Sequence, residues 1–371
     1  MKRTAKTHWN RLAAAAVSFC MAFSLLAGTG MPNGSGRSEG FGGLTAEAVT
    51  SGTWKMENGK WYFYVNGVKK TGWVETQTDR WFYLDPNNGG AMVTGTRYLD
   101  GKYYYFKETN NNDLGLMVMG WYQHADGWRY YSKEYGSRGK RLWDWQQIDG
   151  YWYFLSGESS GLMITGWKQM GAWFYFTEAS GGAKGRMVTG SQHLYSGNNN
   201  TGTWKGYYFD ADGHMRTFRF VFDSPTANDL KISSGYMATA GRPDTHKGLD
   251  LVSSLGKNVN NAENGTVIKV ETNPNSSGGL YVVVKTNVKD KSGNYVTVRY
   301  LHLNSTTVAY GQTVSPGTKV GTVGNTGQSF GTHLHVDMNT AGSTSPTLAQ
   351  TFDPKHVFHT VTLTGDTAHH D

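Results

Sequence analysis

The sequence predicts an all-β protein in two parts: an N-terminal solenoid of β-hairpin repeats, then a C-terminal domain built on a small antiparallel β-sheet. Three observations carry this. The 371 residues include 49 glycines and 14% aromatics against only 17% charged residues, a composition of many short strands and turns. Aromatic segments recur at a regular spacing through the first half of the chain. Beyond Arg216 the tryptophans stop, and alternating runs rich in Val and Thr take over.

Residues 1–30 read as a secretory signal peptide. Lys2, Arg3, Lys6 and Arg11 precede or open an apolar run from Leu12 to Ala27 flanked by small residues. The run is shorter than the roughly 20 residues a membrane span needs. Cleavage is therefore expected, near Ala27-Gly28 or after Ala46-Glu47-Ala48, with no stable membrane insertion afterwards. The single cysteine, Cys20, lies in this segment, so the mature chain has no disulfide and must be held by packing or by a metal. Residues 31–50, rich in Gly and Ser, read as a flexible linker. Net charge is +7, of which the signal contributes more than half; the +3 that remains suits a polyanionic surface such as a cell wall and is too weak to argue for nucleic acid.

The repeats occupy residues 51–216. One unit runs from Trp145 through Trp152 to Phe154 and closes with Gly161 to Gly166; the next runs from Trp167 through Trp173 to Phe176 and closes with Gly185 to Gly190. Similar units begin at Trp54, Trp73 and Trp121, with a weaker one at Tyr98 and another around Trp204. Such periodicity means a repeat architecture, in which each hairpin buries its apolar face only by stacking on its neighbours. Most of the aromatics then form the stacking core. Those left at unit junctions would make open cages for a quaternary ammonium or a sugar ring.

These units resemble the cell-wall-binding repeats of the choline-binding protein family, in the pattern Gly-Trp, Trp-Tyr-Tyr, Gly-x-Met-x-Thr-Gly. The resemblance implies a β-solenoid that binds choline on teichoic acids, or a glucan as related repeats do. It pairs Trp73 with Trp81, Trp121 with Trp128, Trp145 with Trp152, and Trp167 with Trp173 as cage walls. The third unit opens Thr96-Arg97-Tyr98 without its leading Trp, and the last carries an insertion from Ser196 to Gly202.

Residues 217–371 form the second domain, with strands expected at Gly265–Val270, Leu280–Lys285 and Tyr295–Tyr300. Three pieces of it carry chemistry. The first is a loop bearing His246, Gly248 and Asp250 that runs into a strand from Leu249 to Val252. The second is His302, at the end of an apolar strand. The third is the pair His333 and His335, which on a strand project from one face. Each has a bland reading alone: a loop histidine, a core histidine, a surface pair. Together they supply four imidazoles and a carboxylate, the donor types of zinc. Catalytic zinc sites keep three protein ligands and an open fourth position. The remaining two histidines could then move protons or hydrogen-bond a tetrahedral intermediate.

Taken in order, His-x-Gly-x-Asp, Tyr-x-His-Leu and His-x-His resemble the lysostaphin-type zinc metallopeptidases over Phe222 to Met338. The resemblance implies that His246, Asp250 and His335 hold one zinc ion, and that His302 and His333 are the catalytic pair with His333 the general base. Met237 stands where that family often has Gly, and Phe330, Thr332 and Val336 replace commoner residues. His356, His359, His369 and His370 read as tail or surface positions.

The combined expectation is a secreted, cell-wall-associated zinc metalloendopeptidase of a Gram-positive bacterium. It would cut stem peptides or cross-bridges of peptidoglycan, with the repeats holding choline of teichoic acid or a glucan. Two alternatives stand beside it: an inactive wall-binding scaffold or adhesin, and a metallopeptidase of protein substrates with glucan-binding repeats.

Overall fold

The computed structural model describes residues 49–109, 112–196, 203–240 and 244–365. The expected signal peptide, most of the expected linker, His369 and His370 lie outside these residues. Regular structure is all β apart from three short 3-10 turns, and no helix among the described residues is long and apolar enough to cross a membrane.

Seven antiparallel hairpins make up the repeat region among the described residues: 53–65, 72–85, 95–106, 120–131, 144–155, 166–176 and 190–209. The register repeats from one to the next. In the sixth, Gly166 faces Phe176, Trp167 faces Tyr175 and Gln169 faces Trp173. The leading Trp of each full unit packs on its own hairpin and on the next one: Trp145 meets Phe154 at 5.3 Å and Phe174 at 5.1 Å, and Trp167 meets Tyr175 at 5.2 Å and Tyr207 at 4.8 Å. A backbone bond repeats alongside. Met163, Met187 and Met215 each donate N–H, at 2.8 Å, to the carbonyl of Trp128, Trp152 and Trp173 of the preceding hairpin. The units are thus held by aromatic burial and by one recurrent hydrogen bond per junction. The last unit begins at Gly190 and not at Trp204, whose backbone pairs with Tyr195 on the return strand.

The C-terminal sheet is organised around the long strand Tyr295–Thr306. It pairs on one side with Leu280–Lys289, which pairs in turn with Gly265–Glu271, and on the other with His333–Asn339. Beyond His333–Asn339 come Leu249–Val252 and then Lys231–Ser234. The strands are longer than the sequence suggests because apolar alternation continues through residues such as Thr286 and Val288, which are buried. Along His333–Asn339 the residues Leu334, Val336 and Met338 face the core. They meet Val282, Val284, Val298, Leu249 and Leu251 there, leaving the odd-numbered positions for the other face.

Asp229 ties two loops to this sheet. Its carboxylate, 2% exposed, accepts from Ser253 Oγ at 2.5 Å, Thr226 N at 2.7 Å and Lys257 Nζ at 2.5 Å. Burial opposes the charge, but Lys257, Ser253 and Thr226 hold the carboxyl well below the usual carboxylate range. A depressed carboxyl stabilises the fold above its unfolded value of about 4 and loses that contribution as the pH falls further. Asp229→Asn should therefore cost about 2–4 kcal/mol at pH 7 and flatten the acid limb of stability, as read by urea unfolding at pH 7 and pH 3.

Candidate metal centre and active site

The antiparallel register between Leu249–Val252 and His333–Asn339 sets Asp250 directly opposite His335. Gly248 precedes that strand where a Cβ would collide with the Val336 carbonyl and the Asp337 side chain, so only glycine lets the chain pass close enough to bring His246 back over the sheet. Met237 takes φ +66°, which accounts for a position that favours glycine. It donates its N–H to the His246 carbonyl, and His246 donates to Ala238, pinning the loop.

Three donor atoms converge as a result. His246 Nε2, His335 Nδ1 and Asp250 Oδ1 are separated by 2.9, 2.9 and 3.1 Å. All three residues are buried. Tetrahedral zinc with bonds of about 2.0–2.1 Å sets neighbouring donors roughly 3.3 Å apart, so this triangle fits one face of such a site. A buried carboxylate and two imidazoles also match zinc's donor preferences.

The other nitrogen of each imidazole is committed elsewhere. His246 Nδ1 donates to the Gly235 carbonyl at 2.7 Å, and His335 Nε2 to Asp337 Oδ2 at 3.0 Å. His302 Nδ1 donates to the Thr326 carbonyl at 2.8 Å, and His333 Nδ1 to the Gly331 carbonyl at 2.8 Å. A carbonyl or carboxylate oxygen only accepts, so each pinned nitrogen carries a proton, and the opposite nitrogen has a lone pair only while the ring is neutral. The His302 and His333 rings lie 5.0 Å apart, His302 and His335 lie 6.1 Å apart, and His333 Nε2 is 3.5 Å from Asp250 Oδ1. All five residues expected from the sequence are therefore in one site.

Two features of the site have no sequence signal of the kind used above. His302 is not at a strand end. It sits within Tyr295–Thr306 at a register shift, with φ +60° and its N–H donated to the Gly278 carbonyl at 2.9 Å. Such a bulge re-aims one side chain out of the ladder. Asp337, two residues beyond His335 on the same face, is fully buried and receives the Arg299 guanidinium at 2.6–3.1 Å through Nε and Nη2. Arg299 is its cross-strand partner. Only the alternation of the run from His333 to Asp337 could have pointed to it.

The charges follow from these contacts. Burial opposes ionisation of Asp250, but His246 and His335 hold it well below the usual carboxylate range. Burial also opposes a charge on His335, yet Asp250 and Asp337 raise its imidazole to about 9. Burial pushes His302 down to about 4, so it is neutral at physiological pH. A cleft of about 280 Å³ opens beside these groups, lined by His246, His302 and His335 together with Tyr281, Arg299 and Gln328.

Residues 244–346 match peptidase family M23. That stretch is an M23 peptidase domain. Peptidoglycan DD-endopeptidase ShyA of Vibrio cholerae is 29% identical over 206 residues, covering 54% of this chain and 42% of that protein. An uncharacterized metalloprotease of Haemophilus influenzae is 34% identical over 162 residues, 42% of this chain and 32% of that one. The chain thus spans less than half the length of the curated relatives it matches. Among solved structures, choline binding protein F from Streptococcus pneumoniae is 27% identical over 52% of this chain and 54% of its own, with a TM-score of 0.36. The catalytic domain of lysostaphin from Staphylococcus simulans is 25% identical over 34% of this chain and 91% of its own, with a TM-score of 0.29. Both superpositions are too loose to carry an argument.

Away from the M23 domain, the aromatic pairs differ from one another. Trp145 and Trp152 meet at 6.3 Å and 83°, and Trp167 and Trp173 at 6.1 Å and 84°, with Trp152 and Trp173 about two-fifths exposed (39% and 42%). These two pairs make open right-angled walls. Trp81 is buried in a cluster with Tyr104 and Phe106, while Trp73 packs on Tyr83 and Tyr104. That pair offers no open indole face from Trp81. Trp121 packs on Tyr130 and Tyr153, with Trp128 half-buried.

Replacing Asp337 by Asn keeps all three donors but removes the carboxylate that orients His335. Zinc affinity of Asp337→Asn should fall about 10- to 100-fold, measured by competition with a chromogenic chelator. His335→Ala should lose binding altogether.

Proposed function

We propose that the protein is a zinc-dependent endopeptidase that cuts peptide bonds of peptidoglycan and is held at the cell wall by its repeats. The observation that carries this reading is the triangle of His246, Asp250 and His335 facing the unprotonated nitrogens of His302 and His333. Support also comes from the M23 match and from a relative named for peptidoglycan endopeptidase activity. Secretion is part of the same reading and rests on residues 1–30.

In this reading His246, Asp250 and His335 hold the zinc. When bound, the metal supplies a Lewis acid that polarises the scissile carbonyl and acidifies water. His333, its Nδ1 fixed by Gly331, takes a proton at Nε2 from the attacking water and returns it to the leaving amine. His302, neutral and fixed by Thr326, sits across from it and positions the substrate carbonyl or shares the proton transfer through Nε2. Four fixed imidazoles need little reorganisation during the reaction, which is the usual source of electrostatic advantage in such sites. The cleft between Tyr281, Gln328 and Arg299 receives the peptide.

The repeats would raise the enzyme's concentration at an insoluble substrate without altering its chemistry. The open pairs Trp145/Trp152 and Trp167/Trp173 are the best supported ligand walls. Choline is favoured by cation–π geometry, and a glucan by stacking; Glucosyltransferase-S of Streptococcus downei is 30% identical over 88 residues, 23% of this chain and 6% of its own length.

The test pairs chemistry with metal content. Wild type should hold about one zinc per chain and release new amino termini from purified peptidoglycans, with fragment masses naming the bond. His302→Ala and His333→Ala should keep zinc and lose about 100-fold or more in rate. Zinc-loaded wild type that cuts no peptidoglycan of any cross-bridge type would overturn the proposal in favour of a binding scaffold.

A further inference from the structure

The seventh hairpin has neither tryptophan of the full units; the third also lacks both, with Thr96 and Tyr103 in their places, but only in the seventh does the C-terminal domain fill them. In register with Trp73, Trp121, Trp145 and Trp167 the seventh has Ser191, and in register with Trp81, Trp128, Trp152 and Trp173 it has Gly206. Both gaps are filled from the C-terminal domain. In the full units the residue facing the leading Trp packs on it, as Tyr83, Tyr130 and Tyr175 do at 5.0–5.2 Å. Tyr208, which faces Ser191, instead stacks on Phe352 at 4.5 Å and 15°, and is 1% exposed within the core cluster of the C-terminal domain. Over Gly206 lies the His356 ring, where any Cβ would collide with it. His356 reaches past to His193, the cross-strand partner of Gly206, at 3.2 Å between the two Nε2 atoms.

His356 is therefore not a tail or surface residue. It is 4% exposed and packs as a neutral ring, since burial pushes its imidazole down to about 3. His359 lies beside it against Tyr207 at 5.0 Å. Backbone bonds extend the contact: Ala211 donates to the Lys289 carbonyl and Phe218 to the Val357 carbonyl, each at 2.8 Å. Arg216 adds an ion pair with Glu263 at 3.4 Å.

We propose that the seventh hairpin is a docking element and not a ligand-binding repeat: with Ser191 and Gly206 in place of the two tryptophans it receives His356 and Phe352, and it fixes the peptidase to the end of the repeat stack. The peptidase folding unit then begins near Gly190, upstream of the composition change at Arg216. A repeat that ends the stack must cover an apolar face that would otherwise meet water, and here the catalytic domain supplies the cover. The proposal stands apart from the choice of substrate, because its readouts are stability and protease access.

The decisive probe is Gly206→Ala in the full chain. Gly206 is outside the left-handed region, so alanine meets no backbone strain there, and the nearest atoms a Cβ would strike belong to the His356 ring. The variant should lower the peptidase melting temperature by roughly 5 °C or more and open residues 217–225 to limited proteolysis. In a His356→Ala background the same substitution should shift the melting temperature little, the non-additivity that marks direct contact. If Gly206→Ala is silent in the wild-type background, or its effect is the same with and without His356, the docking role is wrong. Activity of the intact variants on peptidoglycan separately tests the proposed chemistry.

Discussion

The site rests on one strand pairing. Leu249–Val252 must lie against His333–Val336 in the register that puts Asp250 opposite His335. A slip of one residue would turn Asp250 into the core and bring Leu249 or Leu251 to the metal face. The same strand sets the second layer, because the residues that share a face with His335 are His333 and Asp337. The strand on its other side brings Arg299 opposite Asp337 and Leu301 opposite His335. The apolar residues between them, Leu334, Val336 and Met338, are fully buried and hold the register that the polar face uses. Packing and chemistry therefore occupy alternate positions of one strand, and neither can shift alone.

Much of this was legible in the sequence because it follows a period of two. The alternation from His333 to Asp337, the apolar runs around Val282 and Val298, and the recurrent tryptophans announce strands and hairpins without reference to tertiary contacts. The three short motifs contain all five residues that the fold brings together. Two kinds of information were not legible. The bulge at His302 depends on where the pairing of Tyr295–Thr306 changes partner, which is a property of two strands and a loop taken together. The burial of His356 depends on Gly206, far away in the sequence, standing where the full hairpins have a tryptophan. From local sequence alone, a histidine near a chain end beside Pro354 and Lys355 looks exposed. Trp81 illustrates the opposite limit. Its pattern matches Trp152 and Trp173, yet it is 3% exposed while they are open, because the adjoining hairpin brings Tyr104 and Phe106 onto it.

The four imidazoles differ in the partners of their far nitrogens. Backbone carbonyls of Gly235, Thr326 and Gly331 fix the tautomers of His246, His302 and His333, whereas a carboxylate fixes His335. A carbonyl orients an imidazole and leaves its basicity modest. A carboxylate increases the electron donation of the ring and makes it a stronger ligand. His335 is thus the donor most strongly tuned toward a cation, and Arg299 keeps the tuning carboxylate ionised in a buried position. The pair proposed for proton transfer, His302 and His333, is oriented by backbone carbonyls, as His246 is.

Electrostatics then explains why such a cluster persists in a buried place. Asp250 and Asp337 are both buried, and Arg299 answers only the second of them. The charge of Asp250 is held by imidazoles, and His335 is raised to about 9 for that reason. A proton on His335 and a metal ion at the donor triangle are alternative answers to one buried negative charge, so they compete for the same place. A dication held by His246, Asp250 and His335 would answer it at three donors where the proton has one, and the cost of burying the carboxylate would then favour metal binding. Packing around Leu249, Leu251 and Leu334 keeps water from meeting that charge instead, which links the apolar face of the sheet to the affinity of its polar face.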